Sequence, residues 1–191
     1  MLSALLLAGL VVTSAHAGVV YNEPVNGDVS DNRLAPTAIA LALGNNSFFG
    51  VISGIRLDDT IDRDYFTITI PAGQRLESIT LDNYISSDQA AFIGVAPGST
   101  FPFAPDDVGP EDLLGFALFG GDLVGQDLLA VIGINGTGFT GGLGAGTYTF
   151  WVQQIGPPTE YSLNFTVVPT PAAAGLLALG AITSMSRRRR R

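Results

Sequence analysis

Four carboxylates fall within seven residues, at Asp58, Asp59, Asp62 and Asp64, just ahead of an alternating strand pattern. Like charges this close repel unless water or a cation neutralises them. Calcium takes about six to eight oxygen ligands in a flexible geometry, which suits an acidic turn. The spacing D-D-x-x-D-x-D is not that of an EF-hand loop, because the central Gly and the distal Glu are missing. Two readings stand side by side: a divalent-cation site of calcium type, and a solvated turn partly neutralised by Arg56 and Arg63.

Composition removes most other chemistry. The chain of 191 residues has no Cys and no Lys, and its one His is His16. Disulfide scaffolds, Cys/His zinc sites, Cys or Lys nucleophiles and Ser–His–Asp catalysis are therefore excluded. Two carboxylates could run glycoside hydrolysis. With 17 Asp and Glu residues some pair is inevitable, so the chain is read as no enzyme. Trp151, Tyr84 and Phe103 are candidate aromatics for a carbohydrate-binding face, although Trp151 sits mid-strand, where packing is the commoner fate. Between Gly18 and Val168 four arginines meet all 17 carboxylates, a net charge of −13. Such a surface attracts cations and does not bind nucleic acid through phosphates.

The two ends read as addresses. Residues 1–17 hold an apolar run from Leu2 to Val12, then Ala15-His16-Ala17 in a small-x-small pattern. That is a signal peptide with cleavage before Gly18, handled by an export translocon and signal peptidase. Its amino-terminal region lacks Lys and Arg. At the other end, residues 168–191 carry Val168-Pro169-Thr170-Pro171, an apolar helix over 172–185, and Arg187, Arg188, Arg189, Arg190 and Arg191. Fourteen helical residues reach roughly 21 Å at about 1.5 Å each, a short span against a core of about 30 Å. The arginines orient the tail with its end in the cytoplasm. Pro169 and Pro171 are expected to keep the junction extended and accessible to a protease.

This motif, short apolar helix and terminal Arg block resemble the bacterial PEP-CTERM sorting signal, with Thr170 where that family usually has Glu. The resemblance implies a transient stay in the inner membrane, processing by an exosortase, and release to the cell surface or extracellular matrix. An uncut tail anchor is the alternative.

The body, residues 18–167, reads as all-β. Tyr161, Leu163, Phe165 and Val167 alternate with Ser162, Asn164 and Thr166. Phe66, Ile68 and Ile70 alternate with Tyr65, Thr67 and Thr69, and Tyr148, Phe150 and Val152 with Thr149, Trp151 and Gln153. Each set predicts one buried and one wetter face. Further strands are predicted over Thr37–Leu43, Ser47–Ile55, Leu76–Tyr84, Ala90–Ala96 and Gly115–Phe119, and no helix is predicted. About eight short strands in one domain suggest a two-sheet sandwich of Greek-key or jelly-roll type. The loop Pro97–Asp112 is long, with Phe101 and Phe103 expected to fold back over the core.

Asp62-Arg63-Asp64-Tyr65-Phe66 leading to Ile70-Pro71-Ala72-Gly73, and Ala145-Gly146-Thr147-Tyr148-Thr149-Phe150, resemble bacterial pre-peptidase C-terminal-type modules. These are typically non-catalytic appendages or matrix components. Some relatives bind calcium at the equivalent acidic turn together with an acidic N-terminal segment. The resemblance therefore implies a ligand set of Glu23, Asp28, Asp59, Asp62 and Asp64, with Asn26 and Asp31 nearby. Ca2+ is the one cofactor considered. The expected function is an exported, surface-sorted, non-catalytic protein of the extracellular or exopolysaccharide matrix. A secreted carbohydrate-binding module that meets polysaccharide is the alternative, with a carboxylate-dependent glycoside hydrolase behind it.

Overall fold

The computed structural model describes residues 18–54, 61–88 and 90–170. The expected signal peptide, the apolar helix 172–185, the Arg block, Pro171, Arg56, Asp58 and Asp59 lie outside the described residues. The chain is mostly β, in two mixed sheets that face each other as in a sandwich.

One sheet has four strands in the order β1 (Gly18–Asn22), β3 (Gly44–Ile52), β9 (Thr159–Pro169) and β5 (Gln74–Ile85). The other has five, in the order β2 (Thr37–Ile39), β4 (Arg63–Ile70), β8 (Gly146–Gln153), β6 (Ala91–Pro97) and β7 (Gly115–Phe119). The parallel pairs β1–β3 and β2–β4 make both sheets mixed, and the remaining pairings are antiparallel.

Aromatic rings from the two sheets interlock between them. Phe48 of β3 lies 4.7 Å from Phe66 of β4, and Phe165 of β9 meets Phe150 of β8 edge-on at 6.1 Å. These are the offset and edge-to-face spacings that ring quadrupoles prefer. Tyr161, Leu163, Phe165 and Val167 are all buried, as the alternation in β9 requires.

The predicted wet face of β4 and β8 is also largely covered. Tyr65, Thr67, Thr149 and Trp151 are buried. The segment after β6 folds back across this face, setting Phe101 against Tyr65 and Trp151 at 5.7 and 5.5 Å. Thr149 Oγ1 donates to the Gly98 carbonyl at 2.8 Å, closing the same layer.

Two helices correct the expectation of none: α1 (Glu23–Asn26) and α2 (Leu128–Ile132). Both are too short to show a helical hydrophobic period. Asp127 caps α2 by accepting from Leu129 N–H at 3.0 Å. A second difference concerns Val168 and Pro169. They belong to β9, paired with Arg75 and Gln74, and Thr170 N–H donates to the Gly73 carbonyl at 2.8 Å. The junction is extended as expected, but it is held in the sheet rather than hanging free. Among the described residues, no helix is long and apolar enough to cross a membrane.

Candidate metal centre

The acidic residues converge because the chain returns twice to one end of the sandwich. β1 leads into α1, where Glu23 sits against β3: its Oε2 accepts from Val51 N–H at 2.7 Å. The chain then turns at Gly27, in the left-handed region at φ 98°, whose carbonyl accepts from Tyr21 Oη at 2.8 Å. Glycine adopts that conformation without steric cost. Asp28 and Asp31 follow on this turn, and Asp31 Oδ1 accepts from the Arg63 N–H at 2.8 Å, which ties the turn to the start of β4. Asp62 is anchored just before β4 by its N–H, which donates to the Ser53 carbonyl at 2.8 Å.

Carboxylate oxygens of Asp28, Asp31 and Asp62 lie within 4.8 Å of one another. Asp64 stands behind them, fully buried in β4. Its Oδ2 accepts from the Tyr161 hydroxyl of β9 at 2.5 Å. Its other oxygen, Oδ1, is buried with no hydrogen-bond partner among the described residues. Gly50 makes this arrangement possible. It pairs with Tyr161 in the β3–β9 ladder, and a Cβ there would lie 2.5 Å from Tyr161 Cζ. The missing side chain leaves the phenol room to cross β3 and reach Asp64.

The electrostatics follow from burial of like charges. Burial pushes the Glu23 carboxyl up to about 8, and a hydrogen bond and charge from Asp28 act in the same direction against the Val51 N–H. Burial also holds the Asp64 carboxyl well above the usual carboxylate range, with the charges of Glu23, Asp62 and Asp28 adding to it and the Tyr161 hydroxyl opposing. Tyr161 is raised in turn by burial and by Asp64. Arg63 meets the cluster through its backbone N–H, which donates to Asp31. Its Nε donates to Gln153 Oε1 at 2.6 Å.

All the side chains offered are hard oxygen donors from Asp and Glu, the set suited to calcium rather than to softer metals. A divalent cation here would bridge the α1 turn to β4. Asp64 Oδ1 has no hydrogen-bond partner among the described residues, and Asp64 lies outside the trio whose oxygens are within 4.8 Å of one another.

Of the expected ligands, the structure brings Glu23, Asp28, Asp62 and Asp64 to one place. Asp59 lies outside the described residues. Asn26 is used locally, its Oδ1 accepting from Asn22 N–H at 2.8 Å. Asp31, in sequence only a neighbour, belongs to the geometric cluster. Tyr161 and Gly50 carried no signal, because their pairing spans more than a hundred residues.

The three aromatics considered for a carbohydrate face do not form one. Trp151 is only 5% exposed, stacked on Tyr65 and covered by Phe92 and Phe101. Tyr84 packs edge-on against Phe119, and Phe103 edge-on against Phe101. No protein-family model matches the sequence, and no curated protein matches it.

Proposed function

We propose that this is an exported, surface-sorted, non-catalytic protein of the extracellular or exopolysaccharide matrix, whose sandwich is fastened by a calcium-type cation. Glu23, Asp28, Asp31, Asp62 and Asp64 would hold the ion. The observation that carries the cation half is the buried, unpartnered Oδ1 of Asp64 behind three converging carboxylates. Calcium is abundant outside cells, so export and a calcium-fastened fold fit together. The sorting half rests on the residue pattern of the two termini and on the resemblance to PEP-CTERM tails. The resemblance of the body to pre-peptidase C-terminal-type modules, with a Greek-key or jelly-roll path, supports a non-catalytic role.

Calorimetric titration with calcium tests the cation half. The protein should give saturable heat, and the double variant Asp62→Ala/Asp64→Ala should give none. No heat from the unaltered protein would refute it. Mass spectrometry of the mature protein tests the sorting half. The chain should begin at Gly18 and lack Arg187 to Arg191. Recovery of the intact chain from soluble lysate would contradict it.

A further inference from the structure

On the outer face of the five-stranded sheet lies a second site, remote in character from the carboxylates. It is a solvent-open pocket of about 140 Å³, lined by Phe92, Val108, Pro110, Leu113, Phe116 and Trp151. Its size is close to the ~150 Å³ of a cavity that accepts a benzene ring. Three of its walls are aromatic faces or edges, with Phe92 and Phe116 stacked at 6.2 Å and Phe92 4.7 Å from Trp151.

The rim is anionic. Gly109 also lines the pocket, and a Cβ built there would lie 2.7 Å from Glu111 Oε1, so that carboxylate stands against the pocket wall. Asp112 Oδ2 accepts from the Gly109 N–H at 2.8 Å. Exposed Asp106 and Asp107 continue the same acidic loop. Arg33 donates to the Phe101 and Pro102 carbonyls at 3.1 and 3.0 Å, and Arg63 Nε to Gln153. Neither lines the pocket.

A carbon-walled pocket has too few oxygens for a bare metal ion and too few polar groups to orient a sugar. A neutral apolar ligand would leave the carboxylate rim unused. Aromatic faces attract cations through their quadrupole, and alkylated ammonium groups bring apolar surface with their charge. We propose that this pocket binds an alkylammonium head, quaternary or methylated, with Phe92, Phe116 and Trp151 as walls and Glu111 as the counter-charge. The head belongs to a free amine or to a choline-type lipid.

Trp151 is the chain's one tryptophan, so its fluorescence reports on the pocket directly. Tetramethylammonium and choline should each change the emission saturably. The neutral alcohol in which carbon replaces the choline nitrogen should bind about 3- to 30-fold more weakly. Glu111→Gln, on an exposed side chain, should weaken choline binding several-fold while the melting temperature is kept. Pelleting with phosphatidylcholine but not phosphatidylglycerol vesicles would assign the head to a lipid. A response to free choline without pelleting would assign it to a free amine. No saturable change, equal binding of the neutral alcohol, or unaltered affinity in Glu111→Gln would overturn the proposal.

Discussion

The carboxylate cluster beside α1 and the aromatic layer on the five-stranded sheet both take side chains out of water, the first only in part, since Asp62 and Asp64 are buried while Asp28 and Asp31 are exposed. In the aromatic layer, Tyr65, Phe101 and Trp151 lose water and gain one another, with ring centroids 5.5–6.0 Å apart. In the cluster, Glu23 and Asp64 lose water among like charges, with the Val51 N–H and the Tyr161 hydroxyl as their donors, and Asp64 Oδ1 is left without a hydrogen-bond partner among the described residues. Burying an ionised carboxylate without a partner costs several kcal/mol, of order the marginal stability of a whole domain. The first region closes by ring contacts, although Tyr65 Oη and Trp151 Nε1 are buried without a hydrogen-bond partner among the described residues. In the second, the unpartnered atom is a carboxylate oxygen among further carboxylates, and that difference in charge is the reason to read it as a candidate site.

The largest expected effect lies in the aromatic layer. Trp151→Ala should cost about 3–5 kcal/mol in a denaturant titration, because it empties a packed volume. The loss should be the same with calcium or with chelator. A calcium-dependent loss would mean that the two regions are one unit.

Next comes the contact that brings Tyr161 to Asp64. Gly50→Ala forces a methyl group into the phenol ring and should cost about 1–3 kcal/mol. Because Tyr161 also fixes Asp64 Oδ2, this variant should weaken calcium binding as well. Destabilisation with unchanged calcium affinity would show that Tyr161 does not position the ligand.

The pH dependence sharpens the comparison from the other side. The folded Glu23 carboxyl sits at about 8 against an ordinary 4.5, so the folded state binds the proton more tightly than the unfolded state. Its contribution is therefore fully present below about 4.5 and is lost as pH rises through about 8. Asp64 is shifted in the same direction. In chelator, the melting temperature should fall between pH 5 and pH 9. Glu23→Gln should flatten that slope, and an unchanged slope in the variant would remove Glu23 as its source.

The strands were legible where one face alone decides burial. Tyr161 to Val167 alternate cleanly because β9 is central in its sheet and turns one row of side chains into the core. The predicted run Gly115–Phe119 coincides with β7. The alternation in β4 and β8 failed on its outer row, since covering by Phe101 depends on how a distant loop folds back. The parallel strand β1 was missed, its five residues coming directly after the N-terminal stretch read as a signal peptide. The helix α2 was missed although Asp127 offered a cap, because Leu128–Ile132 reads equally well as a short strand.

For the candidate site, the residue types were legible and the assembly was not. The acidic turn announced itself by spacing, and the N-terminal carboxylates entered only through a family resemblance. That Asp31 faces Asp62, and that Tyr161 reaches Asp64 over Gly50, are consequences of register between strands far apart in the sequence. Such register is set by the packed sheets, and no local pattern encodes it.

The central claim is that the carboxylate cluster needs a cation. It is tested most directly by the melting temperature of the protein at pH 8, measured once in chelator and once in calcium at about a hundred times its dissociation constant. Binding at that ratio should stabilise the fold by about 2.7 kcal/mol, a rise of about 5–10 °C for a chain of this size. The same melting temperature in both solutions would contradict the account.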